Sequence, residues 1–309
     1  MTTFTNKAPG GTRARTSLYW RYLVEPYLYL TPAILLIALV MLFPLIVGIS
    51  YSFQTVNLLH LDKGGWAGLS NYADLWADRK FWLALENTLV WTFGSVFFQF
   101  TLGLGLALLL NTRFPGRRVF QALVFLPWAV PTFLTALIWA WLFNPVIGPL
   151  PHWLAAVGAL SEPYNILGDP ELAIWGPITA NIWYGVPFFA ITLLAALQSI
   201  PSELYEAAEI DGATAWQSFT KITLPFLAPM IAITVMLRTI WIANFADLIF
   251  IMTAGGPANS TQILSTYVFT TAFKKLDFGY ASTIAVALLG LLFIYAALVL
   301  ALRRKFVKV

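Results

Sequence analysis

Long uncharged runs alternate with short polar ones along this chain. No charged residue falls between Glu25 and Asp62. A helix that crosses a bilayer needs about 20 predominantly apolar residues, which places a first span at about 28–53. Pro32 and Pro44 predict bends in it. The next uncharged runs predict a second span between Glu86 and Arg113 and a third at about 119–143, with Pro127 and Pro131 inside. A fourth follows at about 172–198, a fifth at about 227–252 and a sixth at about 279–302. Residues 54–82 carry Trp66 and Tyr72 and read as an interfacial loop. Residues 144–170 are rich in Pro and Gly and read as a second outer loop. Gly103 and Ala107 have a small-xxx-small spacing, which fits either a close helix contact or simple lipid-facing flexibility.

Composition agrees with this pattern. Of the 309 residues, 59% are hydrophobic and 10% charged, against about 25% charged in a soluble domain. The lipid bilayer is therefore the main solvent, and the chain reads as one polytopic membrane domain. Lipid admits only helices and closed barrels as spanning structures. These runs are too long for barrel strands, so the fold class is all-α with six spans. The first apolar run is also too long for a signal-peptide core and is expected to stay as a span. The chain has no cysteine, which excludes disulfides and thiolate chemistry, and His60 and His152 are too far apart to suggest a metal site alone.

Charge sets the expected orientation. Of the 18 Lys and Arg, twelve fall on one side: the N-terminal tail, the Arg113–Arg118 loop, Lys221 and the C-terminus. Five fall on the other, and Arg238 lies within a span. Basic residues concentrate in cytoplasmic loops, so both termini are expected in the cytoplasm. This distribution reads as topology and not as a nucleic-acid footprint. The predicted organisation is a flexible cytoplasmic tail over 1–27, a transmembrane domain over 28–302 and a short cytoplasmic tail over 303–309.

One stretch breaks the charge rule. The loop at 201–226, on the expected cytoplasmic side, carries Glu203, Glu206, Glu209 and Asp211 against a single Lys221. Ser202 is placed to cap a helix whose first turn holds Glu203 and Glu206. Asp211-Gly212 is expected to stop it, with Gly212 in the left-handed conformation. Thr214 and Gln217 have capping-box spacing for a second short helix ending near Leu224-Pro225. Small Ala207 and Ala208 beside Glu206 leave room for a partner surface. On spacing alone an ordinary amphipathic interfacial loop fits as well.

The stretch resembles the EAA motif of ATP-binding-cassette (ABC) importer permeases. That motif is Glu-Ala-Ala, three residues, Gly, nine residues, then Ile-x-Leu-Pro. Here it is met by Glu206, Ala207, Ala208, Gly212, Ile222, Leu224 and Pro225, with Asp211 beside the glycine. Further likeness lies in Gly68-Leu69-Ser70-Asn71-Tyr72, Leu126-Pro127, Asn144-Pro145 and Thr253-Ala254-Gly255-Gly256-Pro257. These are similar to the carbohydrate-uptake branch, in particular its first permease, of the maltose-permease large-subunit type. Pro149-Leu150-Pro151 departs from that pattern, where relatives often show Asn.

The resemblance implies a type I importer permease in a bacterial cytoplasmic (inner) membrane. Its implied partners are a homologous second permease, two ABC ATPase subunits and an extracytoplasmic solute-binding protein. The two short helices would dock in the ATPase cleft. No cofactor would be bound by this chain, which lacks a Walker A motif; ATP and Mg would act on the ATPases, and the chain would be no enzyme. The same-fold rivals, permeases for peptides, phosphate or metals, fit the GGP loop less well. A secondary transporter or a membrane enzyme would need paired broken helices or a catalytic cluster, and neither is evident in the sequence.

The maltose-type resemblance also implies sugar contacts at Asn181, Tyr184, Gly185 and Phe188. An amide suits hydroxyls, aromatic faces suit C–H patches and glycine gives clearance; helix-packing aromatics near an interface would look the same. In the fifth span Arg238, Trp241 and Phe245 fall on one helical face. Asp247, nine residues from Arg238, would lie half a turn away on a continuous helix. Relatives often have an acid where this chain has Trp241. An intramembrane guanidinium is unfavourable by about 2.5–3.5 kcal/mol or more, so Arg238 needs a cavity, a partner or an anionic ligand: it is expected either to contact an acidic substrate group, such as a phosphate, sulfonate or carboxylate, or to bond backbone carbonyls or the companion permease.

Overall fold

The computed structural model describes residues 12–60 and 64–306. The chain divides into two units, residues 1–51 and 52–309. In the first, α1 (Thr12–Ile37) and α2 (Phe43–Tyr51) are joined by a π-helical turn over Ala38–Leu42. Helix therefore begins well inside the stretch expected to be a flexible tail; residues 1–11 of that tail lie outside the described ones. Pro44 has no N–H for the carbonyl of Val40, and its ring would crowd that carbonyl in a regular helix. The extra residue of the π turn relieves the crowding. The distortion expected at the prolines thus appears just ahead of Pro44.

The second unit opens with a two-residue antiparallel ribbon, β1 (Gln54–Thr55) against β2 (Gly65–Trp66), with Gln54 opposite Trp66. It continues through α3 (Ser70–Ala77), α4 (Arg79–Asn111), α5 (Arg117–Ala129) and α6 (Thr132–Leu142). Helix α7 (Pro149–Ala156) lies within the stretch expected to be only loop. Then follow α8 (Trp175–Leu197), α9 (Ser202–Ile210), α10 (Ala215–Ser218), α11 (Leu224–Asn244), α12 (Asp247–Met252), α13 (Leu264–Phe269) and α14 (Phe278–Phe306).

Among the described residues five helical segments are long and apolar enough to cross a membrane, or six if α5 and α6 count as one. The third predicted span is not straight. Helices α5 and α6 meet at 93° across Val130-Pro131. Proline restricts the residue before it to extended conformations, and Val130 is extended, at φ −83° and ψ 126°.

Helix α8 is the centre of the unit. Of its apolar window 61% is buried, against 33% for α4 and 11% for α14. A helix apolar on all sides belongs in the interior, and α8 is covered by α4, α5, α6, α11 and α12. The α4–α8 contact is close because Gly103 faces Phe189: a Cβ at Gly103 would overlap the Phe189 Cβ. Ala107, one turn on, is fully buried. Close packing is thus the role of that small-residue pair. Trp91 ties α4 to α11 through a 2.8 Å hydrogen bond from its indole N–H to the Ile242 carbonyl. The start of α4 is joined to α13 and α14 at Asp78, whose side chain caps α4 through the Lys80 N–H and accepts hydrogen bonds from the hydroxyls of Tyr267 (2.5 Å) and Tyr280 (2.8 Å).

Candidate functional site

Two regions carry chemistry: a pocket between α8 and α11, and the polar loop between the same two helices in sequence. The pocket has a volume of about 390 Å³ and is lined by Trp128, Tyr184, Arg238, Trp241, Ile242, Asn244 and Phe245. Tyr184 stacks on Phe245 at 6.2 Å and 15°. Phe188 packs behind the wall against Trp128 and Trp241, with ring centres 6.1 and 5.7 Å away. Four of the expected residues, Tyr184, Arg238, Trp241 and Phe245, are therefore brought to one cavity. Phe188 is buried behind it and reaches it through its neighbours.

Asn181 and Gly185 are placed differently from expectation. Asn181 is fully buried, does not line the pocket, and its carboxamide atoms have no hydrogen-bond partner among the described residues. The space beside Gly185 is filled by Gln99: a Cβ there would overlap the Gln99 carboxamide. Glycine provides clearance here, but for a side chain of α4.

Gln99 is the residue that the spacing argument missed. It is fully buried. Its Nε2 donates to the Asn181 carbonyl at 2.8 Å, and its Oε1 accepts from Arg238 Nε at 2.8 Å. One amide thus links α4, α8 and α11. The signal was present as a lone carboxamide in a run of apolar residues, since buried polar groups in a membrane need partners. Arg238 is 5% exposed and lies 5.7 Å from the centre of the Phe188 ring. The helix breaks after Asn244, with Phe245 at φ −87° and ψ 88°. The fifth predicted span is therefore α11 followed by α12, and the half-turn offset reckoned for Asp247 on a continuous helix does not apply.

In the polar loop, Pro201 stands at the N-cap of α9, and Ser202, expected to cap, is the first helical residue with no capping bond. Gly212 has φ +76°. Its N–H donates to the Glu209 carbonyl and the Ala213 N–H to the Ala208 carbonyl, which closes α9 as a Schellman turn. The capping box forms as expected: the Thr214 N–H donates to Gln217 Oε1 at 2.7 Å and the Gln217 N–H to Thr214 Oγ1 at 3.3 Å. The second short helix does not end at Leu224-Pro225. It runs through a π-helical turn over Phe219–Thr223 into α11. This is the offset seen at Pro44, with the widened turn ending two residues before a proline.

The loop is anchored on its inner side. The Tyr205 and Thr223 hydroxyls are 2.8 Å apart, and Tyr205 and Ile222 pack on the core. Its outer side exposes Glu206, Ala207, Asp211 and Gly212. Two large apolar residues flank that face, Ile210 (86% exposed) and Trp216 (71% exposed). Between α9 and α10 lies a groove of about 350 Å³ whose lining includes Ala208, Asp211, Gly212, Gln217, Lys221 and Ile222.

Residues 99–308 match the family described as binding-protein-dependent transport system inner membrane component. The chain belongs to that family. This permease is 35% identical over 260 residues to the trehalose/maltose transport system permease protein of Thermococcus litoralis, covering 84% of this chain and 87% of that one. It is 34% identical over 264 residues to the sulfoquinovosyl glycerol transport system permease protein of Agrobacterium fabrum, covering 85% of each. A bacterial ABC transporter involved in the import of the acidic polysaccharide alginate has a chain that superposes with a TM-score of 0.80 at 26% identity, covering 96% of this chain and 100% of that one. The permease is thus an inner membrane protein with the type I ABC importer permease fold.

Proposed function

We propose that this permease forms part of the translocation path for a saccharide or saccharide derivative. It would work beside a homologous permease, above two ATPase subunits, and receive its ligand from an extracytoplasmic binding protein. Both termini and the 201–226 loop would face the cytoplasm, with six spans if α5 and α6 together make one crossing. The observation that carries the substrate class is the pocket at the α8–α11 contact, where Trp128, Tyr184, Trp241 and Phe245 offer ring faces and Asn244 and Arg238 offer polar groups. Such a wall suits a ligand with C–H faces and hydroxyl edges. The relatives named for trehalose/maltose and for sulfoquinovosyl glycerol transport support the class.

Coupling would run through the 201–226 loop. Glu206, Ala207, Asp211 and Gly212 would supply the outward face and Ala208 the groove beside it, and Ile222, Leu224 and Pro225 carry the loop into α11, the helix that bears Arg238 and Trp241. A push on the loop would therefore reach the pocket along one continuous helix, and alternating access would follow from ATP-driven closure of the partners. The chain would hydrolyse nothing itself. The test is uptake of labelled saccharides by cells carrying the intact transporter and by cells lacking this chain. Saccharide uptake that depends on this chain supports the reading, and unchanged uptake of every saccharide the binding protein retains would reject it.

A further inference from the structure

We propose that the pocket contains a subsite for an anionic group, so that the transported saccharide bears a carboxylate, a sulfonate or a phosphate that seats on Arg238. The inference deepens the saccharide reading and rests on it. Arg238 is almost wholly buried, yet the only hydrogen bond it makes within the described chain is from Nε to Gln99 Oε1. A guanidinium has five N–H donors in a planar fork. Among the described residues the Nη donors therefore have no hydrogen-bond partner, and no carboxylate pairs with Arg238. Arg238 also lines the cavity.

The support behind Arg238 is built for orientation. Gln99 is fixed at its other end on the Asn181 carbonyl, and Gly185 is vacated to admit it. Phe188 packs against the guanidinium from a second side. Capping Nε with a neutral amide holds the fork without neutralising it. A carboxylate at that position would cancel the charge; the carboxamide leaves a cation whose bidentate edge matches a carboxylate, a phosphate or the like-shaped sulfonate. The aromatic wall of Trp128, Tyr184 and Phe245 completes a site for a ring that carries the acid.

The first measurement is the chemical identity of the ligand that the partner binding protein retains, by mass spectrometry of the protein isolated from the native cells and by thermal shift against carboxylated, sulfonated, phosphorylated and neutral saccharides. An acidic saccharide is expected. A neutral saccharide overturns the anion subsite while the saccharide reading stands, and a non-carbohydrate overturns both. The second measurement is uptake of that ligand by the intact transporter carrying Arg238→Gln or Arg238→Lys, with co-purification of the companion subunits as the control for assembly. Arg238→Gln is expected to lower uptake by about tenfold or more, as loss of a charge-assisted pair does, with Arg238→Lys in between. Uptake of the acidic ligand at the wild-type rate in Arg238→Gln overturns the proposal. Loss of the companion permease from that variant also overturns it, because Arg238 would then be an assembly residue.

Discussion

Arg238 on α11 and Gln99 on α4 are joined by a 2.8 Å hydrogen bond at the back of the pocket, and Gln99 reaches on to α8. The pocket helices α8 and α11 are thus cross-linked to α4 through one side chain. Gln99→Leu removes the acceptor from a buried guanidinium and the donor from a buried carbonyl. It is expected to destabilise the folded permease by about 1–3 kcal/mol, the penalty for a buried group left unsatisfied. The thermal midpoint of the purified transporter, with and without the substitution, checks this.

Gly185→Ala places a methyl into the Gln99 carboxamide. Overpacking of this kind is expected to destabilise by about 1–3 kcal/mol. The effect is expected to shrink when Gln99 is also Ala, because the colliding group is then gone. A double-mutant cycle on thermal midpoints measures that coupling, and additive effects would separate Gly185 from Gln99. At Gly103 the obstacle is the Phe189 Cβ next to its own backbone, which cannot swing aside. Gly103→Val is therefore expected to lower the yield of folded permease more than Gly185→Ala does.

In the 201–226 loop, Gly212 stands at φ +76° with open space around its α-carbon. Gly212→Ala is then opposed only by its backbone conformation, at about 1–2 kcal/mol. Gly212→Pro cannot adopt that φ at all and breaks the turn between α9 and α10. Gly212→Pro and Glu206→Lys are expected to leave the spans inserted and ligand binding by the binding protein intact, while ATP hydrolysis no longer drives uptake. Trp216→Asp is expected to reduce recovery of the ATPase with the permease, since it replaces an apolar side chain 71% exposed on the face proposed to dock the ATPase. Parallel assays of ATPase rate and uptake read the first pair, and co-purification reads the third.

Asp78 joins the start of α4 to α13 and α14. Burial pushes its carboxyl pKa up. The hydroxyls of Tyr267 and Tyr280, the Lys80 N–H and the nearby Lys275 charge outweigh that and hold it below the ordinary 3.8. A depressed carboxyl pKa contributes stability that is present above the unfolded value and is lost as pH falls through the folded one. Asp78→Asn is therefore expected to lower the thermal midpoint at about pH 7, and the difference from wild type is expected to close as pH falls through the depressed carboxyl pKa. A difference that stays constant across that range would mean that the carboxylate charge contributes nothing.

The sequence made the spans readable because lipid enforces long uncharged helices, and the ends of α8 and α14 fall within a few residues of expectation. The 201–226 loop was readable for a different reason. Its caps and its left-handed glycine are local devices, encoded within a few residues of where they act. The 93° turn at Val130-Pro131 was not readable, because a proline in a span can either bend a helix or break it, and the surrounding packing decides. Ser202 lost the capping role to its neighbour Pro201. Gln99 was missed for want of any local pattern. Its partners Asn181 and Arg238 are 82 and 139 residues away in the chain, and only the folded contact of α4, α8 and α11 brings them together.

The measurement that tests the account most directly is saccharide accumulation in proteoliposomes holding this permease with its companion subunits. Accumulation is expected only with ATP on the loop side and the ligand-loaded binding protein on the opposite side, and it is expected to stop in Gly212→Pro while the liposomes keep their protein. Accumulation that proceeds without ATP or an ATPase subunit, driven by an ion gradient alone, would contradict it.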